Sequence, residues 1–245
     1  MNLESIFKNL PEVEGPIEKK LSFNVKLKWT LIVLAIFFVL ANIPLYGLSN
    51  NALSRFSSLE AILGADFGSI ISLGIGPIVM ASIILQLLVG SKILNIDVST
   101  KEGKKYFQGL QKVLVFFFIF FEASIYVLMK GLEAIPGYSW ILIAQLCLGG
   151  LAIVFMDEIT SKWGFGSGVS LFIAAGVSRS IFTILFQFIG AQGTFKPSGK
   201  VLVLINSLIA NPPNTTGAIL AGAAILITAG IFLIVQIINP IFSLV

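Results

Sequence analysis

Six stretches of this chain are too apolar, too long and too poor in charge to belong to a water-soluble domain. They run from about Trp29 to Leu48, Leu73 to Val89, Val113 to Met129, Ser139 to Met156, Val169 to Ile189 and Thr216 to Ile238. Glu122 and Arg179 are their only formally charged side chains. A helix needs about 20 apolar residues to cross the roughly 30 Å hydrocarbon core of a bilayer. Inside that core every backbone N–H and C=O must be satisfied internally, so each run is read as a helix. Charged residues make up 11% of the 245-residue chain, where soluble domains carry about 25%. The fold class expected is an all-α polytopic membrane protein with about six transmembrane helices.

Several kinds of chemistry are excluded by what the chain lacks. It has no histidine and a single cysteine, Cys147, which lies within an apolar run. No disulfide can form within it, and no Cys–His metal spacing is present. No carboxylate pair recurs at mid-membrane depth, and no G-x-S-x-G elbow occurs. The expectation is therefore not an enzyme, with no cofactor and no metal. Cys147 is read as a small packing residue.

The lysines orient the chain. If the N-terminus is cytoplasmic, residues 1–28 and 90–112 carry five lysines each on the inside and Lys162 adds one more. Arg55, Lys130, Lys196 and Lys200 fall outside. Eleven against four favours that orientation. An even number of spans then returns the C-terminus to the cytoplasm. In residues 1–28, Leu3, Ile6, Phe7 and Leu10 recur at helical spacing up to Pro11. This fits either a short amphipathic helix on the membrane surface or a solvated tail. No cleavable signal peptide is evident.

Residues 49–72 are too polar and glycine-rich to span. Ser57 to Glu60 form an S-x-x-E capping box, and Leu59, Ile62 and Leu63 make an apolar stripe ending at Gly64. About two helical turns are expected there, either as an interfacial loop helix or folded back into a cavity. The next run, LGIGPIVMASIILQLLV, opens on a Gly-x-Gly-Pro break, and Pro77 suits the first turn of a helix. At 100° per residue, Val79, Ser82 and Gln86 fall roughly 40°, −20° and 20° from Ile75. One stripe is thus aliphatic at the Gly-Pro end and polar at the other. It lines a passage, or it belongs to a membrane helix whose Gln bonds a neighbour. In the proposed orientation it reads as a funnel narrowing inward. Val169 and Ile173, at i and i+4, offer a matching stripe. Glu122 costs roughly 2.5–3.5 kcal/mol at a helix centre and should face protein or water. It is a gate or relay residue, or a neutral hydrogen-bonded acid between helices. Arg179 lies about 120° from Ile173, which suits a packing or subunit contact.

Two segments carry a resemblance. LGIGPIVMASIILQLL is similar, without a gap, to the second-span signature of the SecY family of protein-translocation channels. DEITSKWGFGSGVSLFIAAGV resembles that family's following loop and fifth span: an acidic pair, a basic residue, then Gly-x-Gly-x-Gly. With the insert after span one and the charge pattern, the likeness covers about residues 1–235 and is nearest the archaeal type. It implies an hourglass-shaped channel that passes unfolded chains and opens sideways to release apolar segments. It makes Ile75, Val79, Val169 and Ile173 pore-ring residues. It makes the helix near residues 57–67, with Ser57, Leu59, Glu60, Ile62 and Leu63, the plug. It places Met80 and Glu122, with Gln86 alongside, at the lateral gate. A polar Thr is common where Met80 stands. Aliphatic ring side chains yield to a passing chain, cannot coordinate ions, and seal by dewetting.

The domain reading is a cytosolic amphipathic segment over 1–28, a SecY-like N-terminal half over 29–190, and an external loop with a sixth span over 191–245. The family has ten spans in two inverted halves, and an acidic-basic cluster usually closes its sixth span. Here QIINPIFSLV stands instead. The partners implied are SecE/gamma-type and beta-type small membrane subunits, a ribosome or translocation motor, signal sequences and unfolded clients, the lipid bilayer, and a missing C-terminal half. The location implied is the plasma membrane. Two rivals stand beside this reading: a secondary transporter, which needs polar groups converging at mid-membrane, and a non-conducting structural subunit.

Overall fold

Proline, glycine and capping positions set the helix ends. The computed structural model describes residues 10–17, 21–49, 68–186, 199–210 and 215–242. The described residues hold seven helices: α1 Phe23–Ala41, α2 Gly76–Gly90, α3 Lys101–Leu128, α4 Ser139–Trp163, α5 Gly168–Phe186, α6 Lys200–Ile209 and α7 Thr215–Phe242. Two isolated β-bridges are the only extended pairing among them. The chain is an all-α polytopic membrane protein.

Several boundaries differ from the sequence expectation, each for a local reason. α1 starts at Phe23 rather than Trp29 and stops at Ala41 rather than Leu48. Pro44 bars its predecessor from helical geometry, and the Asn42 amide donates back to the Phe38 carbonyl at 2.7 Å. α3 begins twelve residues before the apolar run, at Lys101, because Thr100 Oγ1 accepts from the Gly103 N–H at 3.0 Å. α4 runs past Met156 to Trp163. The segment DEITSKW contains no helix breaker, and Gly164 ends it. α7 passes Pro240 and ends at Phe242. A proline in the last turn forfeits only one intrahelical bond, close to where the ladder ends anyway.

Span two keeps close to its expected bounds, with Pro77 in the first turn, but it is short. Its helix, α2, has 15 residues, about 22 Å at 1.5 Å per residue. By contrast, α1, α3, α4 and α5 are each long and apolar enough to cross a membrane. The backbone before α2, residues 68–75, is a series of buried turns. Its polar groups are satisfied locally: Leu45 N–H to Gly68 O at 2.7 Å, Ile70 N–H to Ile43 O at 3.0 Å, Gly74 N–H to Ile71 O at 2.8 Å. The Ser72 hydroxyl accepts from Gly68 N–H at 2.8 Å. Irregular backbone is tolerated at membrane depth only when protein covers it. Here α4 does so through Gly149, where a Cβ would lie 1.8 Å from the Ile70 carbonyl oxygen.

Residues 1–176 and 177–245 form two compact units. In the first, α2 packs on α3, α3 on α4, and α4 on α1. Val33, Phe37, Ile71, Ile119, Leu142, Leu146, Ile153 and Phe172 fill its core. Phe37 of α1 stacks on Phe172 of α5, with centroids 4.9 Å apart. In the second unit α6 packs on α7, with Leu204 lying over Gly222 and Ala221 buried. VLVLINSLI, residues 201–209, lies in α6 and packs on α7. Arg179 is half-buried and has a partner within the protein.

Candidate functional site

The two aliphatic stripes sit on different helices of the first unit. Ile75 is the residue preceding α2 and is 7% exposed. Val79, one turn on, is half-buried against the same core. On α5, Val169 is half-buried and Ile173 is 42% exposed. α2 and α5 share no extended contact. Ile75 lies in the hydrophobic core of this unit, and Val79 and Val169 both pack against it.

The polar positions lie between α2 and α3. Glu122 is half-buried, and its Oε1 has no hydrogen-bond partner among the described residues. Gly76 makes room for it: a Cβ there would come within 3.0 Å of Glu122 Oε2. Further along, Gln111 Nε2 donates to Ser82 Oγ at 2.7 Å, and the Ser82 hydroxyl donates to Ile78 O at 2.8 Å. Met80 is 51% exposed and Gln86 is exposed. Of the three gate positions only Glu122 is enclosed. Ser82 and Gln111 bond the interface between α2 and α3. The plug positions Ser57, Leu59, Glu60, Ile62 and Leu63 lie outside the described residues.

The acidic-basic motif is where sequence reasoning missed most. Asp157 Oδ1 accepts from the Val169 N–H at 3.0 Å. Glu158 pairs with Lys112 and accepts from the Val13 N–H at 2.8 Å. Lys162 pairs with Glu12 and donates to the Val13 carbonyl. Trp163 Nε1 donates to Glu14 O at 2.9 Å. Residues 12–14 are thus strapped across the end of α4. A cavity of about 790 Å³ opens beside this cluster, between α3 and α4, with Lys105, Gln111, Asp157 and Lys162 among its lining. The Lys162 ammonium, donating a hydrogen bond, holds the Glu12 carboxyl below its usual range, against the opposing effect of burial. Nothing in the spacing of DEITSK says which acid faces which helix.

The first unit thus carries an aliphatic pair on a short helix fed by buried turns, a second pair at the head of another helix, and a charged clasp at the lysine-rich end. The family model SecY matches residues 69–241. The chain belongs to the SecY family. A second model, the plug domain of Sec61p, matches residues 36–68, so the plug homology takes in the end of α1 as well as the expected 57–67. Among relatives, the chain is 56% identical over 189 residues to protein translocase subunit SecY of Methanothermobacter thermautotrophicus, covering 77% of this chain and 41% of the relative. It is 41% identical over 210 residues to that of Methanocaldococcus jannaschii, covering 85% and 46%. The chain spans about half the length of the curated relatives it matches. Among solved structures, a protein conducting channel superposes with TM-score 0.78 at 38% identity, over 96% of this chain and 52% of that one. Sec61 in a canine ribosome-channel complex from the endoplasmic reticulum gives 0.79 at 38% identity, over 96% and 52%.

Proposed function

We propose that this chain supplies one wall of a protein-conducting channel that passes unfolded polypeptides across a membrane and releases apolar segments sideways into it. The observation that carries the reading is the pair of aliphatic stripes on separate helices of a SecY-family fold. Ile75 and Val79 stand at the head of α2, and Val169 and Ile173 at the head of α5. Solved relatives that superpose over nearly all of the chain are protein-conducting channels. Aliphatic side chains at a constriction offer no ligands to ions and close by excluding water. A transporter would need polar groups converging at that depth, and the stripes supply none.

In this reading the 57–67 helix plugs the passage, and Met80, Gln86 and Glu122 lie along the sideways opening. The lysine-rich end, with the 90–112 segment and the Glu12–Lys162 clasp, faces the cytoplasm of a cell whose plasma membrane holds the protein. The relatives' further spans complete the wall. SecE/gamma-type and beta-type subunits flank it, and a ribosome or motor docks on the lysine-rich face. The test is resting conductance in planar bilayers of a channel completed with those further spans. Val79→Gly with Val169→Gly should raise ion leak several-fold. Unchanged leak would place both stripes against lipid or packed helices.

A further inference from the structure

We infer that Asp157 is a positioning residue that fixes how the head of α5 presents Val169 and Ile173. The inference rests on the reading of those two side chains as pore-lining. The first N–H groups of any helix lack partners in their own helix. At α5 the acceptor comes from a different helix: Asp157, on the last turns of α4, takes the Val169 N–H at 3.0 Å and faces that of Gly168 as well. A carboxylate at a helix N-terminus is also favoured by the helix dipole. The approach is close enough to demand glycine. A Cβ on Gly168 would lie 2.6 Å from Asp157 Cα and 2.8 Å from Oδ1.

A second anchor lies three residues on. Phe172 is fully buried and stacks on Phe37. With the N-terminus tied to α4 and Phe172 tied to α1, the first turn of α5 cannot rotate. That leaves Val169 half-buried and Ile173 partly exposed. The adjacent Glu158 does a separate job, binding Lys112 and the Val13 N–H. The acidic pair thus divides its work: one carboxylate holds the stripe-bearing helix, the other holds α3 and the N-terminal strap.

The experiment uses Asp157→Ala, Asp157→Asn and Gly168→Ala, with Val169→Gly as reference. In nanodiscs holding the chain alone, amide exchange over residues 168–172 should rise about five- to tenfold in Asp157→Ala and Gly168→Ala, the factor that losing a helix N-cap carries. Asp157→Asn keeps an acceptor oxygen and should stay within about twofold of the parent. In the completed channel the same order should appear as resting ion leak. Wild-type exchange in Asp157→Ala, or Asp157→Asn exchanging as fast as Asp157→Ala, overturns the inference. So does raised exchange without leak while Val169→Gly leaks. If Val169→Gly itself does not leak, the pore reading fails, while the exchange data still decide whether Asp157 holds α5. If Asp157→Ala does not accumulate, Gly168→Ala decides: exchange like the parent overturns the claim.

Discussion

Two lysines adopt a backbone conformation that side chains rarely take. Lys92 and Lys130 both have φ 59°, one residue beyond the caps of α2 and α3. Each sits in the closing turn of its helix, where Leu94 N–H reaches Leu88 O and Leu132 N–H reaches Tyr126 O. Glycine is the usual occupant of such a position, and a left-handed non-glycine residue costs about 1–2 kcal/mol. A cation at a helix C-terminus returns part of that. Lys130→Gly should therefore raise stability, by less than about 1 kcal/mol, in thermal unfolding of the detergent-solubilised chain; destabilisation would show that the lysine makes a contact worth more than the strain. At Gly149 the sign is opposite. A Cβ 1.8 Å from the Ile70 carbonyl forces backbone apart, so Gly149→Ala should cost about 1–3 kcal/mol or more. Gly90→Ala, with open space around it, is the control. Neither effect was readable from sequence. The left-handed positions carry lysine instead of glycine, and the need for Gly149 arises from a segment eighty residues away.

At the scale of elements, what the sequence disclosed was local. Pro77 opens α2 as expected because its missing N–H falls in the first turn, and the apolar runs located all the long helices. What stayed hidden depends on partners distant in sequence. The run from Asp157 to Trp163 reads as a polar loop, yet it continues α4 because its charges are met by Lys112, Glu12 and the strap. Of the turns over 68–75, only residues 73–75 read as part of a span, and burial by α4 makes irregular backbone tolerable there. Glu122 stands out in the sequence as an acid that should face protein or water, and it is half-buried beside Gly76, whereas Gln111, which bonds α2 to α3, is masked by its polar neighbours. The strap gives an element-scale prediction. Lys162 holds the Glu12 carboxyl below its usual range, so this contact contributes fully above the ordinary glutamate pKa of about 4.3. It is lost as pH falls through the lower folded-state value. With Trp29 and Trp140 replaced by Phe, Trp163 fluorescence should report the release, since its indole donates to Glu14 O. Glu12→Gln should abolish that acid transition; an identical transition in the variant would assign it to another group.

For the whole molecule, topology comes first. In a Cys147→Ala background, a cysteine at Gln108 should label from the cytoplasmic side and one at Ile135 from the opposite side, because Gln108 lies in the first turns of α3 and Ile135 lies beyond its last turn. The reverse pattern would invert the proposed orientation. The central claim is that these residues furnish one wall and that a conducting passage needs the remaining family spans. In the proposed channel, the stripes on α2 and α5 line one side only. An open side would leave the exposed Gln86 facing lipid, where a polar group without a partner is costly. The decisive measurement is translocation of an unfolded client into liposomes holding residues 1–245, alone and together with the further spans of a SecY relative. Residues 1–245 alone should not translocate the client, and translocation should appear when those spans are added; robust translocation by residues 1–245 alone would contradict the need for a second wall.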